Sequence, residues 1–231
     1  MTELYRFINV RFEGSARTLT FTLHSGELRL LQLADKIEKD AIIDFTTGDS
    51  VCDEGNIEII QGDRRRSKET VTKVQEERRL SNAPVPVLWQ SVQTNQLGRV
   101  GWVAANGGLI SNLKVWENVT LPLWYHGKRE MAETEHNVIY WLTMLGLEPS
   151  VFAEFMAALP HTIEPGQRAL AGMLRALLQM PRVMIVDAGV FEDVAAHLAQ
   201  RWITALETYA SQGRAVLVLA DKATQLPWEI I

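Results

Sequence analysis

Two short, uninterrupted apolar runs near the end of the chain constrain its fold more than any other feature. They are "RVMIVDA" at 182–188 and "RAVLVLAD" at 214–221. Runs of this kind are typical of parallel strands that are buried on both faces. The segment between them has the pattern of a helix closed by Gly213. A strand, a helix and a second strand in this order predict a parallel crossover unit and an α/β fold.

The rest of the chain surrounds this unit with a β-rich start and a helical middle. The first 35 residues alternate between apolar and polar side chains, which predicts an antiparallel β-element followed by a buried strand, "LRLLQLA". "KDAIIDFTTG" predicts a short helix ending at Gly48, and "EGNIEIIQGD" predicts a strand. The charged stretch 64–86 predicts a solvated loop or exposed helix. Residues around 110–160 form a mostly helical insertion, and the helix "PGQRALAGMLRALLQM" stops at Pro181.

Composition excludes several classes of function. The 231 residues carry a net charge of −5, so nucleic acid is not an expected partner, because binding through phosphates usually requires a basic face. The single Cys52 excludes an intramolecular disulfide. The histidines lack metal-ligand spacing, and we expect no metal site. No window approaches 18 consecutive apolar residues, so direct insertion into a membrane is not expected.

Five segments, in order along the chain, carry a family resemblance: "FINVRFEG", "HSGELRLL", "ISNLKVWENVTLPLWYHG", "LGLEP" and "EPGQRALAGMLRALLQMPRVMIVDA". Together they resemble the ATP-binding subunit of ABC transporters. The resemblance implies a P-loop NTPase-like α/β fold with an N-terminal antiparallel β-subdomain, a mostly parallel core sheet flanked by helices, and a helical subdomain. It further implies one domain over 1–231, with the β-subdomain and core at about 1–105 and 165–231 and the helical subdomain at about 106–164.

The chain departs from this family at the phosphate loop. A loop of the form G-x-x-G-x-G-K-[ST] needs glycines so that backbone N–H groups can converge on phosphates. The corresponding stretch is "LADKIEKD", Leu33 to Asp40, and it contains no glycine. Lys39 falls at the phosphate-binding lysine, whereas Asp40 replaces the hydroxyl residue that holds Mg²⁺. Asp35, Glu38 and Asp40 bring negative charge to a site that should attract a polyanion.

The other motifs of the family are altered as well. Ala105 stands at the glutamine-loop position, and the signature turn contains Glu164, Pro165, Gly166 and Gln167 where the family has Ser-Gly-Gly-Gln. The metal-binding Asp is retained as Asp187. The adjacent catalytic Glu is replaced by Ala188, whose methyl group cannot act as a base. Asp221 occupies the position of the switch histidine.

These departures predict a pseudo-ATPase, an ABC-type subunit without catalytic residues and without an expected cofactor. Lys39, Asp40 and Asp187 form a vestigial nucleotide site under this hypothesis. Asp187 either caps a loop or forms a salt bridge with Lys39. The alternative is a divergent ATP-binding subunit that still binds ATP with Mg²⁺ and powers transport.

The resemblance also implies partners. Another ABC-type subunit, identical or different, and an integral membrane permease are the expected ones, which would place the chain in the cytoplasm at the inner face of a membrane. The aromatic residues Trp116, Trp124 and Tyr125 either pack within the helical subdomain or form a partner surface, since Trp and Tyr anchor interfaces. The "ENVTLPL" segment looks most similar to subunits of lipid-handling or lipoprotein-exporting systems.

Overall fold

Two β-sheets lie at the centre of the molecule. The structure is a computed structural model and describes residues 2–12, 17–47, 54–60, 89–91, 100–125, 131–192, 194–220 and 226–231. The strands are β1 Glu3–Arg11, β2 Leu19–His24, β3 Leu28–Gln32, β4 Glu54–Ile60, β5 Trp89–Ser91, β6 Val100–Val103, β7 Val183–Asp187 and β8 Ala215–Ala220. Within these ranges, the first sheet is antiparallel in the order β2-β1-β4-β5, and the second is parallel in the order β3-β8-β7-β6.

Helices flank the parallel sheet and fill the middle of the chain. They are α1 Lys36–Thr47, α2 Val115–Tyr125, α3 Met131–Leu145, α4 Phe152–Ala157, α5 Pro165–Gln179 and α6 Ala196–Ser211. Short 3-10 turns occupy 149–151, 160–162 and 188–191. Helices α2, α3 and α4 fall within the stretch predicted to be a helical insertion. In the part of the chain that the structure describes, no helix has the length and apolar character that crossing a membrane requires.

The crossover unit predicted from the two apolar runs is confirmed. Strands β7 and β8 are buried at every residue and pair in parallel, with Val183 opposite Ala215 and Asp187 opposite Leu219. Helix α6 lies between them in the sequence and begins at Ala196, later than the pattern predicted. The delay arises because the 3-10 turn at 188–191 comes first, capped by the Asp187 side chain.

The parallel sheet separates two hydrophobic cores, and its strands serve both. Val183 and Ile185 face the core shared with the antiparallel sheet, whereas Met184 and Val186 face the core built by the helices. This alternation explains why the apolar runs are continuous, since a strand with a core on each side has no solvent face. The predicted α/β fold, with one antiparallel and one parallel sheet, is therefore confirmed.

A buried amide organises the start of α2. Asn118 is 1% exposed, and its Oδ1 accepts the N–H of Ile110 at 2.7 Å. Its Nδ2 donates to the carbonyl oxygens of Ile110, Leu113 and Lys114 at 3.0, 2.9 and 3.1 Å. Buried polar groups are stable in a core only when they are hydrogen-bonded, and this amide meets that condition at both ends. The Asn of the "ENV" segment is thus a structural residue that fixes the loop before α2.

Candidate functional site

The connection between β3 and α1 is too short to form an open phosphate loop. Strand β3 ends at Gln32 and α1 begins at Lys36, which leaves the three residues 33–35 between them. Lys39 and Asp40 lie inside α1, as the helix predicted over "KDAIIDFTTG" has them, and α1 begins three residues before Lys39. A segment without glycine has no special freedom to adopt the backbone angles of an open loop. Residues that would have formed the loop are therefore part of the helix.

A buried carboxylate occupies the inside of this turn. Glu38 is 2% exposed, and its Oε1 accepts a hydrogen bond from Arg17 Nε at 2.8 Å. Its Oε2 accepts the backbone N–H of Ala34 at 2.8 Å. Arg17 also donates to the carbonyl oxygen of Gln32 at 2.6 Å, while Asp35 Oδ1 accepts the N–H of Glu38 at 2.9 Å. The donors around the turn are therefore engaged by groups of the protein itself.

The two charged residues that match the family are brought together. Lys39 Nζ lies 3.3 Å from Asp187 Oδ1, and their side chains are 12% and 10% exposed. The same Asp187 oxygen accepts the N–H of Gly189 at 2.9 Å. Both roles considered for Asp187, the loop cap and the salt bridge with Lys39, are thus present at once. This pairing neutralises the lysine and the carboxylate against each other.

A double-mutant cycle measures the strength of this pair. We expect Lys39→Met and Asp187→Asn, made singly and together, to show a coupling of about 1–2 kcal/mol in urea unfolding, because the pair is largely screened from solvent. The exposed pair Arg11–Glu54, whose side chains are 46% and 62% exposed, is the control, with an expected coupling below about 0.5 kcal/mol. Equal couplings for the two pairs would contradict this account.

The loop after β6 is locked onto helix α5. Gly107 has φ +79°, and Arg175 on α5 donates to the carbonyl oxygens of Gly107 and Gly108 at 3.0 and 2.8 Å. Gly172 lies against Gly107 so closely that a Cβ on Gly172 would sit 2.5 Å from the Gly107 oxygen. Burial lowers the pKa of the Arg175 guanidinium from its ordinary value. The Arg175 side chain and the close approach of Gly172 hold this loop. The loop also contains position 105, where Ala105 has no polar side chain.

Ala105 lies beside the 3-10 turn that follows Asp187. A Cβ on Gly189 in this turn would lie 2.9 Å from the Ala105 Cβ, and Ala188 of the same turn is buried. Methyl groups therefore stand where the family resemblance calls for the amide of the glutamine loop and the carboxylate of the catalytic Glu. Neither methyl group can act as a base.

The altered signature turn serves as a helix start. Glu164 precedes α5, Pro165 is its first residue, and Gln167 Oε1 accepts the backbone N–H of Glu164 at 3.0 Å. Proline is favoured at the first position of a helix because its fixed φ suits the helix and its missing N–H would be unpaired there. Gly166 follows within the first turn, and Glu164 and Pro165 are exposed. The sequence change thus yields a capped helix with a carboxylate at its N-terminus.

The remaining predicted residues are the position of the switch histidine and the three aromatic residues. Asp221 lies outside the described residues, as does the side chain of Tyr125. Trp116 is half-buried and packs against the helix-side core, whereas Trp124 is 61% exposed. Of these two tryptophans, Trp124 is the one that is mostly exposed to solvent. Among the residues that the structure describes, no group of three or more His, Cys, Asp or Glu side chains could hold a metal ion.

Sequence reasoning missed two arginines. Arg17 precedes β2 and reaches Glu38, which is 21 residues away, and Arg175 binds a loop 67 and 68 residues away. Neither belongs to a local motif. The only available signal for Arg175 was its position on the polar side of a strongly apolar helix.

The architecture is that of the ATP-binding subunits of ABC transporters. A solved structure described as the ATP-binding subunit of an ABC transporter superposes with a TM-score of 0.67 and 16% identity, covering 94% of this chain and 79% of that one. At that identity the likeness shows the fold. It confirms the fold that the five segments implied.

Curated relatives point in the same direction. The chain is 24% identical over 222 residues to the uncharacterized ABC transporter ATP-binding protein YphE of Escherichia coli, covering 94% of this chain and 39% of that protein. It is 33% identical over 89 residues to the methionine import ATP-binding protein MetN 1 of Acinetobacter baylyi, covering 38% of this chain and 23% of that protein. The chain therefore matches less than half the length of either relative. No protein-family model matches it.

Proposed function

We propose that this chain is a pseudo-ATPase, an ABC-type subunit that neither binds ATP competently nor hydrolyses it and acts as an interaction or regulatory component of a membrane transport complex. The observation that carries the proposal is the Lys39–Asp187 ion pair. The lysine that would bind phosphate and the carboxylate that would bind metal are each other's partner. A site for Mg-ATP needs both groups to face the ligand.

The surrounding residues support this reading because they do not fit Mg-ATP. Asp40, in place of a hydroxyl, is exposed on α1, and the carboxylate of Glu38 is buried inside the turn where phosphate oxygens would need donors. Ala188 supplies no base for an attacking water. Each of these losses typically removes orders of magnitude in rate, so their combination leaves no residue set for hydrolysis.

Phosphate release from Mg-ATP tests the catalytic half of the proposal. We expect the purified chain to release phosphate at the rate of the buffer blank, and Ala188→Glu alone to leave that rate unchanged. Release above the blank that is lost in Lys39→Ala would overturn the proposal and favour the divergent ATP-binding subunit.

The partner half of the proposal rests on the outer face of α2. Glu117, Leu121 and Trp124 are exposed at helical spacings of four and three residues, so they form one stripe, which we call the α2 stripe. Residues 106–164 contain seven acidic and three basic side chains, which is four of the five net negative charges of the chain. An exposed stripe of one acidic and two apolar side chains on an acidic subdomain suits a partner segment that is both apolar and basic.

We expect the α2 stripe to receive a permease of this chemistry. Trp124→Lys should reduce recovery of a permease with the tagged chain from detergent-solubilised membranes at least about tenfold, because it removes an aromatic anchor and sets a positive charge against a basic segment. Ile230→Lys is the matched control, since Ile230 is 57% exposed and lies far from α2 in the sequence. Unchanged recovery with Trp124→Lys, or equal loss with both variants, would contradict the assignment.

The identity of the complex is a further part of the proposal. Association through a permease would place the chain at the inner face of a membrane, and an ABC-type paralogue with intact motifs would supply hydrolysis. The lipid or lipoprotein system suggested by "ENVTLPL" stays a prediction. MetN 1, to which 89 residues of this chain are similar, is described as a methionine import ATP-binding protein.

A further inference from the structure

The side chain of Glu38 stands at a position where a phosphate loop has glycine. It comes directly before Lys39, and in G-x-x-G-x-G-K the residue before the lysine is glycine because the backbone must approach the phosphate there. A Glu at this position adds a carboxylate on a long side chain. That side chain is folded back into the turn and is 2% exposed.

The contacts of this carboxylate are those that a bound oxyanion would make. One oxygen accepts from a guanidinium, Arg17 Nε at 2.8 Å, and the other from a backbone N–H of the turn, that of Ala34 at 2.8 Å. Cationic side chains and backbone N–H groups at a strand-to-helix turn are the usual donors to phosphate oxygens. In this chain an internal carboxylate takes them.

The turn is held in this state from both sides. Arg17 is fixed against the end of β3 by its bond to the Gln32 carbonyl oxygen at 2.6 Å. A carboxylate removed from water is stable only when it is paired and hydrogen-bonded, so the contacts of Glu38 and its burial depend on each other. An external anion would have to displace the Glu38 carboxylate, which is part of α1 and therefore has a high effective concentration at this turn.

We propose that Glu38 is an internal anion that occupies the phosphate position and keeps the β3–α1 turn closed to polyphosphate ligands. The inference rests on the proposed pseudo-ATPase function and deepens it. Two features then exclude nucleotide: the loss of the glycines, and the contact of Glu38 with Arg17 and the Ala34 N–H. Removing the carboxylate leaves Arg17 and the Ala34 N–H as hydrogen-bond donors to a small oxyanion.

Chemical rescue of Glu38→Ala tests this proposal. We expect the variant to unfold at a lower temperature than the wild type, and sodium acetate or phosphate, each compared with sodium chloride of equal ionic strength, to raise its Tm by at least about 3 °C more than they raise that of the wild type. The wild type supplies this baseline because phosphate stabilises folded proteins in general by being excluded from their surface. Asp40→Ala is the matched control, because it removes the same charge from an exposed position of α1 and should show no rescue.

The outcomes separate this inference from the proposed function. If Glu38→Ala folds and acetate and phosphate raise its Tm no more than they raise that of the wild type, or if Asp40→Ala is rescued equally, Glu38 is not an internal anion and the inference fails. If Glu38→Ala does not fold in chloride, its refolding yield in acetate against chloride gives the same readout, and equal yields overturn the inference. None of these results bears on whether the wild type hydrolyses ATP, which phosphate release measures.

Discussion

Gly107→Ala is expected to lose about 3–5 kcal/mol in the free energy of unfolding, because it combines a clash with backbone strain. Gly107 has φ +79°, and an added Cβ would lie 2.0 Å from the carbonyl oxygen of Arg168 and 2.6 Å from its carbonyl carbon. Neither atom belongs to a flexible side chain, so the loop and α5 would have to separate. Urea unfolding followed by tryptophan fluorescence measures the loss.

Gly26→Ala is the matched control for this experiment. Gly26 has a similar φ of +89°, but a Cβ there meets nothing within 4 Å. It should therefore lose only about 1 kcal/mol, the cost of the backbone conformation alone. Comparable losses for the two variants would show that the close approach of the loop to α5 contributes little, contrary to the structure.

Asn118→Ala is expected to lose about 2–4 kcal/mol, because it removes a buried amide and takes from the Ile110 N–H and the Leu113 carbonyl oxygen the bonds that this amide makes with them. The amide bonds the N–H and oxygen of Ile110 and the oxygens of Leu113 and Lys114. Asn118→Asp should be no better, since it keeps the acceptor but replaces three donor contacts with a carboxylate oxygen. Thermal and urea unfolding give the free-energy difference.

Asn137→Ala provides the comparison on α3. Asn137 is not buried, and its amide donates to the Glu133 carbonyl oxygen at 2.9 Å. Exposed substitutions of this kind usually change stability by less than about 0.5 kcal/mol. A loss at Asn118 no larger than that at Asn137 would rule out the organising role of the buried amide.

The elements with strong local patterns could be predicted from the sequence. The runs that became β7 and β8 are apolar at every position because each strand has a core on both sides. The helix "PGQRALAGMLRALLQM" was predicted from the sequence, and its residues Leu170, Met173 and Leu174 are all buried in α5. In these elements the local pattern and the tertiary burial agree, which is the condition under which sequence reasoning works.

The details of the candidate site could be predicted only in part. Comparison with the family's motifs identified Lys39 in the phosphate-loop stretch and Asp187 as the metal-binding Asp, and their pairing was one of two roles considered for Asp187. The burial of Glu38 could not be foreseen, because it depends on Arg17, which is 21 residues away. An acidic residue in a charged stretch is usually solvated, and only a tertiary partner reverses that expectation.

The loop after β6 shows the same limit. The need for glycine at position 107 comes from the close approach of α5 at Gly172. Contacts between elements this far apart in the chain leave no periodic signal. Similarly, Glu164 and Pro165 were interpreted as losses from a signature motif, and the structure adds their positive role in starting α5.

The central claim is that the vestigial site does not take up nucleotide, and equilibrium titration tests it most directly. A fluorescent ATP analogue with Mg²⁺ should give no saturable change in tryptophan fluorescence of the wild-type chain up to millimolar concentration. Saturable binding in the micromolar range that disappears in Lys39→Ala would contradict the claim, because it would require Lys39 to leave Asp187 and face a phosphate.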